Sequence, residues 1–223
     1  MPDVTALLSG RGIARSFGRH AALEPTDLDV RGGEGLGLVG PNGAGKSKLV
    51  SILAGALSPD SGTVVHADPA PRVGWVPQRP AQYGRLTPRE NLELFARLEG
   101  VSEPEAVAGR LVELVELPDD GRLTAELSLG NQQRLNLAVA LLADPDVLLL
   151  DEPTSSLDPR QRRRFWELAR AVRERGGAVV FVTQNLEELE RFADRVVVLL
   201  DGRLVFDGSA EEYARSPEAD VFA

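Results

Sequence analysis

The segment LVGPNGAGKSKL, residues 38 to 49, constrains this chain more than any other. An apolar run, LGLVG, ends there in a turn with glycine at 40, 43 and 45, and a helical pattern, KLVSILAGAL, follows at once. A plain strand-to-helix connection needs one glycine. Several, with Lys46 and Ser47 attached, indicate backbone N–H groups that turn inward around a closely approaching group beneath an ammonium. The lysine makes that group an anion.

Gly40-Pro41-Asn42-Gly43-Ala44-Gly45-Lys46-Ser47 matches G-x-x-x-x-G-K-[ST], the phosphate-binding P-loop, in the strand–turn–helix context that the motif requires. The helix presents its positive end to the phosphates, Lys46 reaches the β and γ groups, and the Ser47 hydroxyl ligates Mg²⁺. Further along, VLLLDEP delivers Asp151 and Glu152 to the end of an apolar strand, where ligands of open α/β sheets bind. Asp151 is read as a Mg²⁺ ligand and Glu152 as the group that polarises water.

Strand-length apolar runs at 36–40, 147–151 and 178–183 do not alternate with polar residues and are separated by helical patterns. That predicts a parallel sheet buried on both faces, an α/β core. Toward the ends, ALLSGRGIARSF, DLDVRGGEG and VVVLLDGRLVFDG read as an antiparallel flank, the last with a type I′ turn at Asp201-Gly202. Residues 83–143 read as a helical insert, with capping boxes at Thr87-Pro88-Arg89-Glu90 and Ser102-Glu103-Pro104-Glu105. The expected organisation is one domain, an α/β core of residues 1–82 and 144–223 with a helical subdomain at 83–143.

Composition excludes several functions. A net charge of −9 disfavours nucleic acid as a partner, since such binding rests on Lys and Arg neutralising phosphates. The basic run RQRRR at 160–164 reads as the solvated first turns of a helix. There is no cysteine, hence no disulfide, thiolate metal site or cysteine nucleophile. No window approaches the ~18 consecutive apolar residues of a membrane helix, and the start, MPDVTALLSGRG, lacks the regions of a secretion signal.

Over almost its whole length the chain resembles the nucleotide-binding subunits of ATP-binding cassette (ABC) transporters, members of the P-loop NTPase superfamily. The resemblance rests on the P-loop, on WVPQ at 75–78, LSLGNQQR at 127–134, VLLLDEP at 147–153, SSLD at 155–158 and FVTQN at 181–185, in that order. It implies that Phe17 in RSFG stacks on adenine, and that Gln78 senses Mg²⁺ and a membrane partner. Ser156 and Asp158 are implied to cross a dimer interface. The signature, Ser128, Leu129, Gly130 and Asn131, would act in trans on the γ phosphate held by an opposite subunit, so that dimerisation depends on ATP. The cofactors implied are ATP and Mg²⁺. The partners are an integral membrane transporter subunit and a second cassette, identical or merely similar. The location is the cytoplasmic face of the cell membrane, through that partner.

This sequence departs from the family pattern at four places. Leu129 replaces a glycine; if that backbone needs positive φ, a β-carbon costs ~1–2 kcal/mol. Asn131 replaces a glutamine. Lys48 replaces a threonine, with two placements open, toward the α phosphate or into solvent. Gln184 stands where the family carries a histidine; its amide can donate to the γ phosphate but cannot carry charge or shuttle a proton. Slower hydrolysis with intact ATP-driven closure is the expectation. A transport motor is the leading reading. A soluble cassette ATPase without a transport role and an ATP-gated module with weak hydrolysis are the alternatives, and the segment TPRENLELFARLEG has the flavour of drug exporters with separate membrane subunits.

Overall fold

Continuous apolar runs without alternation can be buried only if both faces of a sheet are covered. That is how the chain folds in the computed structural model, which describes residues 6–18 and 20–222. Residues 1–5, part of the N-terminal stretch read above for a leader, lie outside the described residues.

Strands β3 (Gly35–Val39), β5 (Val73–Val76), β6 (Val147–Asp151), β7 (Ala178–Val182), β8 (Arg195–Leu200) and β9 (Arg203–Ser209) form one sheet in the order β5-β6-β7-β3-β8-β9. All neighbours are parallel except β8 and β9. That last pair is joined by Asp201 at φ 48° and Gly202 at φ 78°, the two left-handed positions of the expected type I′ turn. Every residue of β3, β6 and β7 is buried.

The pleat splits these strands between two cores. Leu36, Leu38, Leu149, Val180 and Val182 face helix α1 (Lys46–Leu53) and the antiparallel flank. Leu148, Leu150, Val179 and Phe181 face α5 (Pro159–Glu174) and α6 (Leu186–Phe192). The flank is a second sheet, order β2-β1-β4, built from β1 (Ala6–Phe17), β2 (His20–Arg31) and β4 (Ser61–His66), all antiparallel.

Between β5 and β6 the chain is helical: α2 (Pro88–Leu98), α3 (Pro104–Leu114) and α4 (Leu129–Leu141) share a core of Leu92, Ala96, Ala108, Val112, Val115, Leu135 and Ala138. The lobe is not detached from the sheet, because a β-carbon on Gly74 in β5 would sit 2.3 Å from the Ala140 carbonyl of α4. Only glycine permits that approach.

Helix α2 starts with the expected capping box, Thr87 and Glu90 exchanging hydrogen bonds behind Pro88. Helix α3 does not. Its N-cap is Glu103, left-handed at φ 54° and without a side-chain cap, and Ser102 lies one residue outside. A proline fits best as the first helical residue, so Pro104 moves the start one position past the one that the Ser102 box requires.

A conditional expectation concerns Leu129. It is the first helical residue of α4 and is not among the described non-glycine residues with positive φ. The condition under which its β-carbon would cost energy, a positive φ, is not met.

Candidate functional site

Four loops leave the carboxyl ends of adjacent parallel strands β5, β6, β7 and β3, the edge of an open sheet where ligands gather. They carry Gln78, Asp151 with Glu152, Gln184, and the P-loop.

The P-loop backbone owes its shape to glycine. Gly45, the N-cap of α1, has φ 99°, and a β-carbon on it would lie 2.3 Å from the Ala22 carbonyl of the flank. Gly40 has φ 150°, and its β-carbon would meet the Leu199 carbonyl at 2.1 Å. No side chain fits at either place. The turn of the β8–β9 hairpin closes the loop from outside, Gly202 N–H donating to the Ala44 carbonyl at 3.2 Å.

Lys46 is buried, 5% exposed, and its Nζ donates to the carbonyls of Gly40 at 2.6 Å and Pro41 at 2.9 Å. Burial pushes this ammonium below the usual lysine range, against the pull of Glu152 and Asp151 in the other direction. An ammonium held on carbonyls of its own loop is a cation ready to exchange them for phosphate oxygens.

At the end of β6, Asp151 is 3% exposed and accepts a hydrogen bond from Ser47 Oγ at 3.1 Å. Burial raises its carboxyl above the ordinary range, with the Ser47 bond opposing. Three clustered His, Cys, Asp or Glu side chains, the signature of an all-protein metal cage, do not occur among the described residues. A hydroxyl and one carboxylate nonetheless suit Mg²⁺, a hard ion that takes few protein oxygens and completes its shell with water and substrate phosphate.

Glu152 follows in the left-handed region, φ 47°, its N–H held by the Val182 carbonyl of β7 at 3.1 Å. That conformation is costly for a residue other than glycine or asparagine, and such outliers concentrate at functional sites. Each carboxylate oxygen accepts from a glutamine amide: Oε1 from Gln184 Nε2 at 3.0 Å, Oε2 from Gln78 Nε2 at 3.2 Å. Gln184 Nε2 also reaches Asn42 Oδ1 of the P-loop at 2.9 Å.

Gln78, Glu152, Gln184, Asn42, Asp151, Ser47 and Lys46 are thus gathered at one sheet edge. Phe17 is 46% exposed at the end of β1, with Lys48 Nζ and Arg15 Cζ each 5.1 Å from its ring centroid. The exposed head of Lys48 thus rests on an aromatic face.

Other expected site residues lie elsewhere. Ser128 caps α4 through Asn131 N–H at 3.3 Å. The side chain of Asn131 is engaged by Arg134, which also donates to the carbonyls of Val115 and Glu116. Gly130 lies against the Ser156 loop and α5, for a β-carbon there would come within 2.8 Å of Gln161 Oε1 and 3.2 Å of the Ser156 carbonyl. Leu129 is 67% exposed. Asp158 caps α5 in a capping box with Gln161, while Ser156 is exposed.

Asn42, expected in the P-loop, also serves as a partner of Gln184, and residues not singled out from sequence, Thr154, Thr183 and Glu188, lie behind the loops. Glu188 had no sequence signal, because in NLEELERF it reads as one of several surface acids.

Comparisons with known proteins bear on the family and the fold. The family model "ABC transporter" matches residues 23–155. The daunorubicin resistance ATP-binding protein DrrA3 of Streptomyces coeruleorubidus is 41% identical over 213 residues, 90% of this chain and 67% of that protein. The Nod factor export ATP-binding protein I of Burkholderia lata is 39% identical over 212 residues, 89% of this chain and 69% of that one. Among solved structures, the dimeric post-hydrolysis ATP-binding cassette MJ0796 bound to ADP and Pi superposes with a TM-score of 0.80 at 26% identity, covering 91% of this chain and 98% of that one. An ATP-binding subunit of an ABC transporter superposes at 0.84 and 26% identity, covering 97% and 98%. With the P-loop, the paired acids after β6 and the helical insert all in place, the chain belongs to the ABC transporter family as a nucleotide-binding domain.

Proposed function

We propose that this chain binds and hydrolyses ATP as the motor of a transporter, closing as a dimer and acting on a separate membrane subunit. The observation that carries the reading is the Glu152 carboxylate, held by Gln78 and Gln184 beside the P-loop at the carboxyl edge of the sheet. Phe17 stacks on the base, and Lys46 exchanges the carbonyls of Gly40 and Pro41 for phosphate oxygens.

Ser47, Asp151 and Gln78 would hold Mg²⁺, which when bound neutralises charge on the phosphates. Glu152 orients a water and takes its proton as the water oxygen attacks the γ phosphorus; the bond to the β–γ bridging oxygen breaks and that oxygen leaves on ADP. Gln184 donates to the γ phosphate. Positioned donors of this kind are each worth about 10²–10³ in rate.

The signature residues Ser128, Leu129, Gly130 and Asn131 serve the nucleotide on the opposite subunit, and Ser156 and Asp158 lie at that interface. The exposure of Ser128 and Leu129 beside the Ser156 loop supports this arrangement. The partner cassette is a second copy or a similar chain. None of the described helices is long and apolar enough to cross a membrane, in keeping with attachment to the cytoplasmic face through the membrane subunit. Export is the direction we infer, supported by the Nod factor export relative and by the segment at 87–100.

A second reading, an ATP-gated module with slow turnover, is favoured by one observation: Gln184, which cannot carry charge, occupies the position beside Glu152. Calorimetry with Mg·ATP, followed by phosphate release with and without the membrane subunit, separates the two. Binding with turnover that rises in the complex supports the motor. Binding without turnover in either state supports the module, and absence of binding removes both.

A further inference from the structure

Helix α6 carries three acids in LEELERF along residues 186–192, and one of them is buried. Glu188 is 3% exposed. Its Oε1 accepts from Thr154 Oγ1 at 2.5 Å and from Trp166 Nε1 at 3.3 Å, and its Oε2 accepts from Thr183 Oγ1 at 2.8 Å. Arg162 Nε lies 3.7 Å from Oε1, beyond hydrogen-bond distance. Burying a carboxylate is unfavourable unless its lone pairs are met, and here O–H and N–H donors from three different elements meet them.

Those donors sit where catalytic geometry is decided. Thr154 follows Glu152 by two residues across Pro153, and Thr183 immediately precedes Gln184. Trp166 belongs to α5, whose N-cap is Asp158. Its ring stacks on Phe192 at 4.2 Å and meets Phe181 edge-on at 4.9 Å, so the indole N–H is fixed by packing. Glu152, Thr154, Thr183, Gln184, Asn185 and Glu188 line one cavity of about 300 Å³. We infer that Glu188 is a positioning residue: its single carboxylate ties the loop after β6 to the loop after β7 and so sets the bond between Gln184 and Glu152. The inference rests on the hydrolytic role proposed above for Glu152. An apolar residue of similar size cannot replace Glu188, because two threonine hydroxyls and an indole N–H all require acceptors.

The test uses Glu188→Ala, Glu188→Gln, Thr154→Val and Thr183→Val in the full chain. Displacing a catalytic group by ~1 Å costs about 10²-fold in rate. Glu188→Ala is expected to lower kcat on that scale while the Kd for Mg·ATP stays within about threefold, a split that general destabilisation would not give. Glu188→Gln restores most of the rate, since its amide oxygen accepts and a threonine hydroxyl can turn to accept from its nitrogen. Thr154→Val and Thr183→Val each lower kcat alone and change nothing further on Glu188→Ala.

Hydrogen exchange gives a reading independent of hydrolysis: the amides of Glu152, Thr154, Ser155, Thr183, Gln184 and Asn185 should speed up together in Glu188→Ala while those of the P-loop do not. Unchanged kcat, equal losses in binding and rate, or exchange confined to one loop would overturn the inference. Wild-type protein that releases no phosphate would instead remove the hydrolytic reading, and the exchange data would still decide whether Glu188 couples the loops. Should Glu188→Ala fail to fold, Glu188→Gln and the two valine variants carry the same comparison.

Discussion

Gln184 Nε2 donates to Glu152 Oε1 at 3.0 Å and, from the same nitrogen, to Asn42 Oδ1 of the P-loop at 2.9 Å. One uncharged amide therefore joins the water-activating candidate to the phosphate cradle. A histidine in that place would also donate, and its pKa of about 6.5 would add a charge that appears on acidification. Gln184→His is expected to raise the turnover of the assembled complex and to give its pH–rate profile a limb near pH ~6.5 that the wild type lacks. Gln184→Ala should lower kcat by about 10²-fold with little change in ATP affinity. Phosphate release measured from pH 5.5 to 8.5 checks both, and identical profiles for wild type and Gln184→His would end the emphasis on this position.

Glu152 has a left-handed backbone, and two glutamine amides hold its carboxylate. Replacing it with glutamine keeps the shape and removes the proton acceptor, so Glu152→Gln should bind Mg·ATP as tightly as the wild type. Turnover should fall by about 10²–10⁴-fold, the range for a lost general base. Nucleotide should then remain bound in a closed dimer, seen as an ATP-dependent shift to twice the mass in size exclusion with light scattering. Wild-type turnover in this variant would assign the water to another group.

Lys48 and Phe17 form a pair that sequence reasoning treated separately. The ammonium lies 5.1 Å from the ring centroid at an exposed site, a contact worth ~0.5–1 kcal/mol. If a purine stacks on that face as proposed, it displaces the ammonium, which is then free to approach the phosphates. Lys48→Thr should therefore weaken ATP binding by about 2- to 5-fold and flatten its dependence on salt. Phe17→Ala should cost ~1–3 kcal/mol of base stacking at any ionic strength. Titrations of both variants at low and high salt make the comparison. Tighter binding by Lys48→Thr would show that the ammonium competes with the base and does not assist it.

The core of the site was legible because its physics is local. The P-loop glycines, the lysine after them and the acids ending an apolar strand are neighbours in sequence, and each needs its own residue type where it stands. Fully buried strands also announced themselves, since β3, β6 and β7 contain no polar interruption before their last residue. Long-range relationships left no such trace. The two amides on Glu152 come from positions 74 residues before it and 32 residues after it. Glu188 reads as a surface acid until Thr154, Thr183 and Trp166 are seen to converge on it. The α3 start was misjudged for a local reason: a serine-to-glutamate spacing was recognised, but Pro104 decides which residue begins the helix.

Leu129 would strain its backbone only at positive φ, and it does not adopt that conformation, so what its side chain changes is shape. As the first helical residue of α4, 67% exposed beside the N-cap Ser128, it presents an isobutyl group where glycine would present only backbone. Leu129→Gly releases no conformational energy, and glycine's greater freedom in the unfolded chain costs up to ~1 kcal/mol. A chain of this length should then lose no more than about 2–4 °C in Tm. The effect on assembly has the opposite sign: with the side chain gone, a second subunit's nucleotide approaches the α4 N–H groups more closely, so ATP-dependent dimerisation of Glu152→Gln should tighten when Leu129→Gly is added. Sedimentation of the single and double variants with Mg·ATP reads this directly. A rise in Tm would restore the strain explanation, and weaker dimerisation would mean that the leucine itself contacts the partner.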